Sequence, residues 1–133
     1  MEIHHKLAGI IIKDKKLLMC RKYNEPHFIM PGGRTLKGET PEQTLKRELK
    51  EELDVELKSI KPFKTWEALH FRDKDKIVKM ETFFVEIKGE PKATEEIDKI
   101  VFVDSNYKKK GLKIASIDED YLVPKLKKMN LIN

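Results

Sequence analysis

The sequence predicts a mixed α/β fold, an α/β or α+β sandwich in which helices pack on a sheet that holds both parallel and antiparallel strands. Three features point to it: strand-length apolar runs early in the chain, a strongly signalled helix after them, and a second round of long strands followed by a helical pattern near the C-terminus. The 133 residues suit one domain, 1–133, large enough to bury a core without disulfides or a structural metal. The order of strands within the sheet is not readable from the sequence.

Residues 7–13 (LAGIIIK) and 16–21 (KLLMCR) read as two strands joined by a tight hairpin at Asp14 and Lys15. Both are apolar at successive positions, which implies burial on two faces. Cys20, the single cysteine, lies in the second run and reads as a buried filler. A loop with Pro26 and Pro31 leads into Gly32 and Gly33, where a backbone without side chains can turn sharply or approach a ligand. Thr40, Pro41 and Gln43 supply an N-cap, a first helical residue and a capping-box partner, so a helix runs from there to about Leu53. Residues 55–69 and 77–87 read as longer strands around the polar turn 72–75, and 100–103 as another. A final helix is expected within 118–130, with Ser116 and Glu119 as a capping box and Pro124 imposing a kink or a late start.

The net charge of +5 and pI near 9.2 suit an anionic ligand. The lysines are spread along the chain, and the tight run Lys108, Lys109 and Lys110 reads as a solvated loop rather than a nucleic-acid contact. No apolar run approaches the roughly 20 residues that cross a bilayer, so a soluble, cytoplasmic protein is expected.

The first helix carries the chemistry. At about 100° per residue, Leu45, Leu49 and Leu53 fall on one stripe, Lys46, Arg47 and Lys50 on a second, and Glu48, Glu51 and Glu52 on a third that borders the leucines. The acidic stripe therefore runs along the edge of the core. Two carboxylates about 5.5 Å apart repel by roughly 3 kcal/mol at an effective dielectric near 20. A hard divalent cation such as Mg²⁺ relieves that repulsion, and it commonly bridges carboxylates to substrate phosphates. The competing view is an ordinary charged helix surface in which Arg47 and Glu51 pair one turn apart.

Gly33, Glu39, Arg47, Glu48, Leu49, Glu51, Glu52 and Val55 reproduce the spacing G-x5-E-x7-R-E-U-x-E-E-x-G-U, in which U is a bulky aliphatic residue. Pro31, Gly32 and Gly33 also form the Pro-Gly-Gly entry that usually precedes this pattern. In these residues the protein resembles the Nudix hydrolases. The resemblance implies a single Nudix domain, an α/β/α sandwich with a mixed sheet, and hydrolysis of a nucleoside diphosphate linked to another group with Mg²⁺, for which Mn²⁺ can substitute. It implies that Glu48, Glu51 and Glu52 hold metal and act in catalysis together with the carbonyl oxygen of Gly32. Glu39 and Arg47 would pair, with Gly33, in a structural role. Glu95 and Glu96 compete with the three helix glutamates for the role of general base. Two positions depart from the pattern. Asp54 replaces its late glycine, and Leu36 stands where many members carry another glutamate. A Nudix-like module that binds a nucleotide without cleaving it is the alternative those departures support.

The partner implied is a small nucleotide, with no membrane or nucleic acid and with a monomer or homodimer as the assembly. Subfamily markers downstream of the pattern are absent: the nearest proline to the position expected in many ADP-ribose hydrolases is Pro62. Elimination favours a nucleoside triphosphate or modified nucleotide, with ADP-ribose, sugar nucleotides and dinucleoside polyphosphates left open. Arg21, Arg34 and Lys37 are candidate phosphate contacts. Phe28, Trp66, Phe71, Phe83 and Phe84 are candidate stacking faces for a base, against a competing role in the core.

Overall fold

The computed structural model describes residues 2–70 and 73–133; Phe71 and Arg72, named above for stacking and for a turn, lie outside them. In chain order the elements are β1 (Glu2–Ile10), β2 (Ile12–Lys13), β3 (Lys16–Lys22), β4 (Gly32–Gly33), α1 (Pro41–Leu53), β5 (Glu56–Leu69), β6 (Lys76–Lys88), β7 (Ile97–Val103) and α2 (Val123–Lys128). A 3-10 turn (Tyr107–Lys110) and a π turn (Asp118–Leu122) precede α2.

One sheet has the order β4-β1-β6-β5 and the other β2-β3-β7. β1 and β6 run parallel, while the remaining pairs are antiparallel, so the mixed character expected from the sequence is present. Successive apolar residues of β1 and β3 divide between two cores. Ala8, Ile10, Leu17 and Met19 join the cluster that includes Leu122, Val123 and Leu126 of the C-terminal helical segment. Leu7, Ile11 and Leu18 join Leu45, Leu49 and Leu53 of α1. The sheets therefore lie between α1 and α2, the three-layer α/β/α arrangement.

The hairpin falls at Asp14 and Lys15, both left-handed with φ of 52° and 59°, as a tight two-residue turn requires. β1 starts at Glu2, earlier than its apolar pattern suggested. The polar stretch EIHHK is extended because its backbone is paired with β6 from Glu2↔Lys76 onward, not because its side chains are buried. The Ser116–Glu119 capping box is not formed. Glu119 instead accepts hydrogen bonds from the Tyr107 hydroxyl (2.9 Å) and Lys108 Nζ (2.7 Å). The late start is not seen: helical backbone is already present at Ser116 and Ile117, and ahead of Pro124 it widens into the π turn, where the Val123 N–H reaches back five residues to the Asp118 carbonyl before α2 resumes.

Candidate active site

Helix α1 is built as its sequence specifies. The Thr40 hydroxyl accepts from the Gln43 N–H (3.2 Å), and the Gln43 side chain accepts from the Thr40 N–H (2.9 Å). At the other end Asp54 adopts the left-handed conformation, φ 53° and ψ 44°, and its N–H closes the helix on the Lys50 carbonyl at 3.1 Å. A salt bridge of 2.9 Å to Lys50 Nζ further holds it. The departure from glycine is thus accommodated within the cap.

The leucine stripe is fully buried, which sets the three glutamates in a graded environment. Glu52 is 1% exposed; the Glu48 side chain is 15% exposed and that of Glu51 47%. Burial raises the Glu52 carboxyl to about 7, against the lowering effects of Lys6 and of the Gly32 N–H, which donates to Glu52 Oε1 at 2.8 Å. Burial likewise raises Glu48, and its contact with Arg47 opposes the shift.

Arg47 organises this region. Its guanidinium donates to both oxygens of Glu39 (2.8 and 3.0 Å), to Glu48 Oε1 (2.8 Å) and to the Arg34 carbonyl (3.0 Å). These bonds, with that of the Leu36 N–H, hold the Glu39 carboxyl down at about 2. Gly33 fits a narrow space, since a Cβ there would stand 2.5 Å from the Glu48 carboxyl. At Gly32, where φ is +138°, a Cβ would stand 2.0 Å from the Leu7 carbonyl oxygen. The two glycines have different reasons: Gly32 for the backbone, Gly33 for the site.

Among the described residues no three His, Cys, Asp or Glu side chains converge tightly enough to enclose an ion as they stand. Glu48 is turned to Arg47 and Glu52 to the Gly32 N–H. The donor types nevertheless fit a hard divalent cation: Glu48 and Glu52 are largely desolvated carboxylates whose raised values mark unmet demand for positive charge, and Glu51 lies one helix position away.

In front of Glu48, Gly32 and Gly33 opens a cavity of about 470 Å³. Lys6, Lys22 and His27 supply polar walls, and Ile29, Val78 and Met80 apolar ones. Asp118 lines it too, 1% exposed and with Oδ1 lacking any hydrogen-bond partner. Burial raises the Asp118 carboxyl to about 7, with Lys6 opposing.

Two sequence candidates do not face this cavity. Arg21 is directed to Asp98 (2.8 Å) and lies over the Phe28 ring at 4.9 Å, and the adjacent Lys22 lines the cavity in its place. Phe28 is a core residue, 1% exposed, flanked by His27 and Ile29, which do line the cavity. At Phe28 only isolated bridges hold the backbone, and a register shift falls between Arg21 and Lys22, so in neither case does a regular strand set which neighbour faces the cavity. Phe83 is also core, and Trp66 stacks on Tyr121 (6.5 Å between centroids). Arg34 lies at the cavity mouth, where its guanidinium donates to His4 Nδ1 at 3.1 Å; Lys37 is exposed outside the lining. Glu95 and Glu96 sit in an exposed turn. Cys20 is buried and its thiol is pushed up to about 12, chiefly by desolvation, which fits an inert filler.

Sequence reasoning missed Lys6, Lys22 and Asp118, and also Thr94. The Thr94 hydroxyl donates to the Glu51 carbonyl (2.6 Å) and lies 3.1 Å from that of Glu52, capping the end of α1 from a distant loop.

The NUDIX domain model matches residues 3–113. Among characterised proteins, the chain is 30% identical to an ADP-ribose pyrophosphatase of Methanocaldococcus jannaschii over 118 residues, covering 86% of this chain and 70% of that protein. Its fold is similar to a MutT structure from work on the Aliivibrio salmonicida and Vibrio cholerae proteins, with a TM-score of 0.69 and 22% identity over 93% of this chain and 96% of the other. It is also similar to a MutT protein of Bacillus halodurans, with a TM-score of 0.66 and 22% identity over 86% and 76% of the two chains. With the acidic helix, the glycine entry and a domain match over most of its length, the chain belongs to the Nudix family and is a Nudix hydrolase.

Proposed function

We propose that the protein is a Mg²⁺-dependent pyrophosphohydrolase, with Mn²⁺ able to substitute, that cleaves a nucleoside diphosphate linked to another group. The preferred substrates in this reading are nucleoside triphosphates or modified nucleotides, and the setting is cytoplasmic. The observation that carries it is Glu52, a buried carboxyl that accepts from the N–H of Gly32, a residue of the cavity wall beside Glu48. A bound divalent ion supplies positive charge to the diphosphate oxygens and lowers the pKa of water for attack.

The chain's own groups do the rest. Glu48, Glu51 and Glu52, with the Gly32 carbonyl, would hold the ion, and Glu39 and Arg47 keep loop and helix in register. Whichever of these carboxylates the ion leaves unsaturated would take the proton of the attacking water, while Glu52 Oε1 stays on the Gly32 N–H. Lys6 and Lys22 line the cavity and offset phosphate charge. The apolar walls and the unpaired Asp118 Oδ1 suit a flat heteroaromatic base that offers N–H donors.

ADP-ribose is the second reading, favoured by the identity to the M. jannaschii protein. Turnover of nucleoside triphosphates, oxidised nucleotides, ADP-ribose, sugar nucleotides and dinucleoside polyphosphates in Mg²⁺ and in Mn²⁺, with products identified, tests both. Release of a nucleoside monophosphate from a triphosphate at the highest kcat/KM is expected. Binding without turnover across the panel would leave a non-catalytic module.

A further inference from the structure

A second cavity, of about 600 Å³, opens beside the first, and His4, Arg34 and His70 line both. Lys74 and Lys76 complete the basic side of the second, with Asp73 as its acidic member. The geometry points to this shared mouth, formed by His4, Arg34, His70 and Lys76, as an anion subsite that holds a phosphate attached beyond the nucleoside diphosphate. The inference rests on the pyrophosphohydrolase reading and deepens it, because it selects substrates whose far group is phosphorylated over those whose far group is neutral.

The placement follows from β1. Residues two apart on a strand share a face and stand about 6.6 Å from each other, so His4 extends the wall that Lys6 begins. The parallel register sets His4 beside Val78 and Lys6 beside Met80, both of which line the first cavity. A nucleotide with its base against Asp118 and its diphosphate before Glu48 therefore runs toward His4 and Arg34.

The groups there are donors. Arg34 donates to His4 Nδ1 at 3.1 Å, which leaves His4 Nε2 to carry the imidazole proton toward a ligand. His4 and His70 stand 6.0 Å apart between ring centroids. The His4 imidazole is lowered from its ordinary value by burial and then by Arg34, His70, Lys6 and Lys76, the mark of a concentrated positive field. The nearby carboxylates are engaged: Asp73 and Glu2 lie 3.7 and 3.9 Å from Lys76 Nζ, and Asp73 Oδ1 also accepts from the Asp75 N–H. A phosphate meets such donors with charge-assisted bonds in which both partners are charged, whereas a neutral sugar hydroxyl brings no net charge to the same positive field.

The experiment compares a nucleoside triphosphate with the nucleoside diphosphate sugar of the same base, using the wild type, Arg34→Gln and the double variant His4→Gln/His70→Gln. Thermal unfolding confirms that each variant is folded. Each is expected to lose at least tenfold more kcat/KM on the triphosphate than on the sugar nucleotide, with the difference in KM. Equal losses on the two, or none, would overturn the subsite. A second readout needs no turnover: inorganic phosphate titrated into metal-free protein should shift the ring resonances of His4 and His70 saturably, and Arg34→Gln should weaken that binding at least fivefold. Unmoved resonances would overturn the subsite even in an active enzyme, whereas saturable shifts in a protein that cleaves no nucleotide would remove only the pyrophosphohydrolase reading.

Discussion

The Arg47 guanidinium grips both carboxylate oxygens of Glu39, at 2.8 and 3.0 Å, across the loop that carries Leu36. The same guanidinium holds Glu48 at 2.8 Å, so one side chain ties the loop to the helix and steers a site carboxylate. Arg47→Lys keeps the charge but loses the planar fork. It is expected to lower kcat at least tenfold and to lower the thermal midpoint, and steady-state kinetics beside calorimetry check both. Unchanged turnover would remove Arg47 from any role in the site.

Glu52→Gln removes a buried ionisable oxygen while preserving shape and the acceptor for the Gly32 N–H. Turnover should fall about a hundredfold or more, on the scale of losing a group that stabilises charge in the transition state. Circular dichroism should show the fold retained.

The two glycines should respond differently to alanine. In Gly33→Ala the new methyl meets the end of the flexible Glu48 side chain, so activity should drop at least tenfold with a small change in stability. In Gly32→Ala it meets the Leu7 backbone in a φ +138° conformation, so the folded protein itself should be lost or severely destabilised. Urea melts and soluble yield distinguish the two.

Asp118 makes stability depend on pH. Its folded carboxyl keeps a proton up to about pH 7, whereas the unfolded group releases it near 3.8. The folded state therefore binds more protons across that window, and stability falls as pH rises through it, with the full loss of up to about 4 kcal/mol present above 7. Asp118→Asn should flatten this part of the profile and raise the metal-free urea midpoint at pH 8 relative to the wild type. A variant with the wild-type slope would show that Asp118 ionises freely.

Thr94→Val deletes the hydroxyl that caps the Glu51 carbonyl. A loss of about 1 kcal/mol is expected, measured by urea unfolding, with faster amide exchange confined to the last turn of α1.

What was legible in the sequence was local. The capping box at Thr40, the leucine stripe and the Asp14–Lys15 turn each depend on residues within a few positions, and all appear as read. The Glu39–Arg47 pair came from the resemblance. Features set by pairing across the chain were not legible. The polar start of β1 is a strand because β6 supplies its partner, and Lys22 rather than Arg21 faces the cavity because the register shift near the strand end decides which side chain turns inward. Asp118 draws no notice in the sequence beyond the expected helix, and its burial depends on a cavity that no single segment encodes.

The parallel ladder from Glu2↔Lys76 to Ile10↔Phe84 joins the start of the chain to its second half. During synthesis β1 must wait for most of the protein to emerge before it can find its neighbour, while the β5–β6 hairpin can close as soon as it is made. Closing such a distant pair is slow, so the wall bearing His4 and Lys6 should be among the last parts of the molecule to consolidate, and ligand capture should report the completion of folding rather than its onset.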